Sequence, residues 1–208
     1  MMPYWYTMKQ RASEAGPAVF TIGHSNHPLE KFLELLKAHE IAVLVDVRSI
    51  PSSRYTPHFN RAELEKALSA AGVRYVYAGG ELGGMPNEEE FYDRLGHVDY
   101  AKMAQSDRFR SGIARLKASA RTGRTALMCS EEDPRNCHRH LLLSRVLAGE
   151  EVRVMHIRGD GALEADEDLR REAGQCRRQL SLFPDEEDEW KSTRSVLPER
   201  APGNSSKR

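Results

Sequence analysis

The sequence has no apolar run approaching the roughly 18 to 20 residues that a helix needs to cross a bilayer, which argues against a membrane-spanning chain. Residues 1–11 are aromatic and then polar, without the continuous apolar segment of a secretory leader. The cytoplasm is the expected compartment, and no membrane partner is expected. Cysteine is scarce, and the three present are an odd, sparse set that does not look like a disulfide framework. Net charge is also absent: 31 basic residues balance 31 acidic ones, so no global field draws the chain onto nucleic acid. Any polyanion site must be a local patch. Internal repeats are absent as well.

What is present reads as one domain with appendages. Residues 1–17 carry no periodic pattern and end in Gly16-Pro17, which predicts a flexible arm. Val19 to Ile22 is a short β-rich run, followed by an amphipathic stretch with Leu29, Phe32, Leu33, Leu35 and Leu36 at helical spacing. Residues 41–47 are continuously apolar and β-branched, as in a strand buried on both faces of a parallel sheet. Further strands are expected at 73–77, 125–129 and 152–157, with helices around Leu64 and Leu68, over 109–120, over 137–147 and over 163–178. The alternation predicts a single three-layer α/β domain over 18–178, Rossmann-like, with a mostly parallel five-stranded sheet flanked by helices. Residues 184–208 hold a run of like charge at 185–189 and then Ser, Pro and Gly, which predicts a disordered charged tail.

Each predicted strand delivers polar residues at its C-terminal end. His24 and Ser25 follow the first, Asp46 and Arg48 end the second, Tyr77 precedes a glycine-rich loop containing Gly83 and Gly84, and Cys129 ends the fourth. In a doubly wound sheet these ends share one crevice. Cys129, near Arg135, His138 and Arg139, is a candidate nucleophile or metal ligand, or else a small buried apolar side chain. Asp46 and Glu131 are candidate general bases, with His24 and His138 beside them and Arg48 and Arg139 as anion holders. Asp46 with Arg48 also reads as a structural ion pair, and Ser25 as a helix cap. Cys129 and Arg135 have the Cys-x5-Arg spacing of anion-cradling loops, but Glu131, Glu132 and Asp133 fill the interval with negative charge. Zinc on Cys129, Cys137 and His138, completed by His140, His24 or Cys176, is possible but not favoured, because adjacent residues on a helix point about 100° apart. The loop from Arg48 to Arg61 contains no carboxylate and interleaves Arg54 and Arg61 with Tyr55, His58 and Phe59, which suits a single-stranded nucleic acid.

Four motifs in order, Ile22-Gly-His-Ser25, Leu44-Val-Asp-Val-Arg48 with Pro51, Gly80-Glu-Leu-Gly-Gly84, and Leu127-Met-Cys-Ser-Glu131 followed by Cys137-His-Arg139, make the chain resemble the family called "domain of unknown function 488" from about Phe20 to Ile157. The resemblance implies the α/β fold and marks the matching residues as a site, without supplying a reaction. Beyond it, Gln179, Leu180, Ser181, Leu182 and Phe183 resemble the bacterial sliding-clamp-binding peptide at every position. The expectation is a DNA-associated enzyme, hydrolysing or transferring a group on DNA or a nucleotide in a repair or replication context, recruited by the sliding clamp. The alternatives are a non-catalytic clamp-associated adaptor that binds nucleic acid or a nucleotide, and a thiol- or metal-dependent small-molecule enzyme.

Overall fold

A computed structural model describes residues 18–180 and 190–195, with side chains unassigned over 175–180. The five expected parallel strands are present: β1 Ala18–Gly23, β2 Val43–Asp46, β3 Arg74–Tyr77, β4 Thr125–Cys129 and β5 Arg153–Ile157. A sixth short strand, β6 Leu163–Ala165, pairs antiparallel with β5, where sequence periodicity placed the first turn of the last helix. The order β3-β2-β4-β1-β5-β6 inserts β4 between β1 and β2. Chain connections leaving β2 and β4 therefore run to opposite sides, and the C-terminal ends of those neighbours open a crevice between them.

The helices are α1 Leu29–Ala38, α2 Arg61–Ala70, α3 Gly79–Leu82, α4 Tyr100–Gln105, α5 Asp107–Thr122, α6 Arg145–Gly149 and α7 Asp166–Leu180. α1 and α2 bury Phe32, Leu35, Leu36, Leu64 and Leu68 against Phe20, Ile22, Leu44 and Met128 on one face of the sheet. α5 and α6 bury Phe109, Ile113, Leu116 and Leu147 against Val19, Val43, Val45 and Leu127 on the other. Because successive strand side chains alternate faces, Met128 and Cys129 fall on opposite sides, and Cys129 joins the α5 side. α2 stops as expected at Gly72, whose φ of +75° is in the left-handed region open to glycine. α4 and α5 are each capped by a side chain, Asp99 accepting from Lys102 N and Ser106 from Phe109 N.

Two further differences bear on the site. The expected helix over 137–147 begins later: Cys137 is extended (φ −113°, ψ 143°), and a π-helical segment, Arg139–Ser144, leads into α6. The expected tail over 184–208 includes six residues, 190–195, that return to the domain. Tyr100 N donates to Trp190 O, Asp99 bridges Lys191, and Ser192 exchanges hydrogen bonds with Val98 through its backbone N–H and its Oγ. Trp190 supplies the reason, since its indole N–H reaches Leu141 O and its ring lies 4.5 Å from the Arg145 guanidinium. The expected arm over 1–17 lies outside the described residues, as do Ser181, Leu182 and Phe183. Gln179 and Leu180 complete the backbone of α7. Among the described residues no helix is long and apolar enough to cross a membrane.

Candidate active site

The site begins where β1 and β4 keep pairing beyond their ends: His24 N donates to Cys129 O at 2.9 Å and Ser25 N to Ser130 O at 2.8 Å. This approach requires a glycine at position 23, where a Cβ would stand 1.8 Å from Glu131 O. Ser25 adopts a left-handed φ of 47° and turns the chain away from the sheet. Its hydroxyl reaches Asn26 rather than capping α1, which has no side-chain cap.

Asp46 and Arg48 share a face at the end of β2 and form a buried bidentate pair, Nε to Oδ1 at 2.9 Å and NH2 to Oδ2 at 2.6 Å. Asp46 also accepts from Arg48 N and from the Tyr75 hydroxyl, so both carboxylate oxygens are engaged. Two further donors of Arg48 go to Phe59 O and to His24 Nε2 at 3.2 Å. His24 Nδ1 in turn donates to Ser25 O, which fixes the tautomer. Burial, followed by the Arg48 charge, lowers the His24 pKa to about 4, so the ring is neutral. It stacks on Phe59 with centroids 4.4 Å apart. Asp46, His24 and Arg48 thus form one buried hydrogen-bonded network, of which Arg48 reaches the cleft.

The open chemistry is at β4. Glu131 Oε2 lies 2.9 Å from Cys129 Sγ and 3.2 Å from Cys137 Sγ. His138 Nδ1 lies 3.7 Å from the first sulfur and 3.8 Å from the second. The extended conformation of Cys137 is what allows it and His138 to face the same point, removing the geometric objection that a helix would raise. Gly84 packs on the imidazole so closely that a Cβ there would meet His138 Cγ at 2.8 Å. Arg139 is fully buried and donates from its backbone N and its Nε to Cys137 Sγ, at 3.5 and 3.4 Å. Its other nitrogens hold Thr21 Oγ1 and Glu131 O. A hydrogen bond with Cys137, then burial, then the charges of Cys137 and Glu131 push the Cys129 thiol well above its ordinary value. Burial opposes ionisation of Cys137 too, but the Cys129 hydrogen bond, the Arg139 charge and His138 outweigh it and hold Cys137 well below.

These groups form the floor of a cleft of about 350 Å³. Arg48, Ser49, Gly84, Tyr100, Cys129, Glu131, Cys137 and His138 line it, and the returning chain adds Ser192, Thr193 and Arg194. Of the expected site residues, His24, Asp46 and Arg139 stand behind this wall. Gly83 packs against Ser49, and the Tyr77 hydroxyl reaches Ser49 O while Arg61 covers the Tyr77 ring at 4.7 Å. Arg54 and Tyr55 contact each other on the exposed loop, Tyr55 being 80% exposed, outside the cleft. Arg135 turns outward to Asp133, Glu164 and Glu172, so it does not cradle an anion with Cys129. Sequence reasoning missed Tyr75, Tyr100 and the Ser192–Arg194 wall. Cys137, read from the sequence only as a ligand in a zinc site that is not favoured there, lines the cleft.

A family model for a domain of unknown function, DUF488, matches residues 28–146, more than half of the chain. The chain belongs to that family. The DUF488 match takes in Asp46, Arg48, Gly84, Cys129, Glu131, Cys137, His138 and Arg139, and it ends before β5. No curated protein and no solved structure matches this DUF488 chain.

Proposed function

We propose that the protein is an enzyme acting on nucleic acid or a nucleotide, with its chemistry carried by Cys129, Cys137, His138 and Glu131. The observation that carries this reading is the meeting of two sulfurs, an imidazole and a carboxylate on the floor of an open cleft. A space of about 350 Å³ suits a group the size of one nucleoside and excludes a duplex, so a polymer substrate would present an end or an extruded base. The exposed Arg54 and Tyr55, with Arg61 at the start of α2, offer charge and a ring to a strand leading away from the cleft. Asp46 and His24 serve by holding Arg48, and Glu131 is the proton acceptor nearest the sulfurs. The peptide Gln179 to Phe183 supports recruitment by the sliding clamp, on its sequence alone.

The test is a panel of damaged and modified DNA substrates and free nucleotides incubated with the parent, Cys137→Ser and Glu131→Gln. Product from the parent and a loss of about 100-fold or more in both variants is expected. Binding by the parent with no chemical change in any substrate would replace the enzyme with an adaptor.

A further inference from the structure

We propose that Cys129, Cys137 and His138 bind a zinc ion, with Glu131 beside it as acid and base for a metal-bound water. Their Sγ, Sγ and Nδ1 atoms lie within 4.8 Å of one another, and all three residues line the cleft. Zinc bonds of about 2.3 Å to sulfur and about 2.0 Å to nitrogen give tetrahedral S···N edges of about 3.6 Å. The two S···N separations here, 3.7 and 3.8 Å, are close to those edges.

The surroundings suit this use. Gly84 packs against the His138 ring and holds it with Nδ1 toward the sulfurs, while Nε2 is buried with no hydrogen-bond partner among the described residues. Arg139 donates twice to Cys137 Sγ, the kind of outer contact that orients a thiolate ligand and tunes its charge. Two thiolates neutralise the ion, and Arg139 balances Glu131. Glu131 lies outside the three-atom cluster yet within 2.9 and 3.2 Å of the two sulfurs, which places it next to the fourth position. Three protein ligands with an open fourth position is the arrangement of a catalytic rather than a structural zinc site.

The catalytic part of the inference rests on the enzyme reading above. Hydrolysis then consumes one water. A zinc ion held there would supply a polarised water: Glu131 would take its proton as the water oxygen bonds to the electrophilic centre of the substrate, the bond from that centre to the leaving group would break, and the leaving group would carry away the proton from Glu131.

The experiment reads metal without substrate. Full-length reduced protein is analysed for metal content, stripped, and titrated with zinc against a chromophoric chelator and with cobalt(II). One zinc per chain is expected, with sulfur-to-cobalt charge transfer and the strong visible bands of a four-coordinate ion. Cys129→Ser, Cys137→Ser and His138→Ala should each weaken zinc by about tenfold or more with circular dichroism unchanged, and Glu131→Gln should leave the stoichiometry at one. Failure of the parent to take up either metal at micromolar concentration, or a cobalt spectrum without thiolate bands, overturns the site. Zinc-loaded protein that turns over nothing keeps the metal and removes the enzyme; metal-free protein that turns over substrate does the reverse.

Discussion

At the scale of single residues, His24 shows how a polar group at a strand end is spent on structure. Its ring is neutral because a proton would have to enter a buried site facing the Arg48 guanidinium. The sign follows from linkage: the unfolded chain protonates near pH 6.5 and the folded chain only near 4, so this contribution is intact above 6.5 and is lost as pH falls toward 4. Over that window the loss amounts to roughly 3 kcal/mol. Urea unfolding of parent and His24→Gln between pH 7.5 and 4.5 should show a steeper acid decline in the parent; parallel curves would refute the assignment. Asp46 and Arg48 could be paired from their spacing alone, since residues two apart on a strand share a face. That Tyr75 of the neighbouring strand, with His24 and Phe59 beyond their own elements, would complete their shell was not legible, because strand order and loop conformation leave no period in the sequence.

Elements were easier to read than the segments between them. The five parallel strands and the faces of α1, α2 and α5 followed from apolar patterning, because burial against a sheet imposes a period on the sequence. The start of the π-helical segment could not be read that way: Cys137 looks like a helix start until the preceding turn, Pro134–Asn136, sets it extended. β6 is three residues long, too short for any period. The return of 190–195 is the instructive case. A charged run and small polar residues around it read as tail, yet one Trp with a carbonyl partner and an Arg over its ring anchors six residues to α4 and the cleft. Trp190→Ala should cost about 2 kcal/mol in urea unfolding, since it deletes a half-buried ring and leaves Leu141 O without its donor. It should also loosen the Ser192–Arg194 wall, read as faster proteolysis C-terminal to residue 190 at unchanged far-ultraviolet circular dichroism. Cleavage at the parental rate would show that the wall holds without the indole.

For the molecule as a whole, the proposed function raises the question of how a chain with no net charge would find DNA. With 31 basic and 31 acidic residues it has no long-range pull, and cations such as Arg115 and Lys117 are paired with Glu81 and Glu150. A strand contact confined to Arg54, Tyr55 and Arg61 would be weak and would fall steeply with salt. Tethering changes this: a clamp encircling DNA and holding Gln179 to Phe183 would raise the local concentration of the strand at the cleft to the millimolar range without a new contact. Parent protein should therefore bind DNA weakly at physiological salt and be retained by clamp-loaded DNA. Leu182→Ala/Phe183→Ala should lose that retention with an unaltered thermal midpoint, whereas Arg54→Ala/Arg61→Ala should weaken binding to free single-stranded DNA and flatten its salt dependence. Equal retention of parent and the Leu182/Phe183 variant on the clamp would mean that the peptide belongs to the end of α7 and that DNA is reached, if at all, by the loop alone.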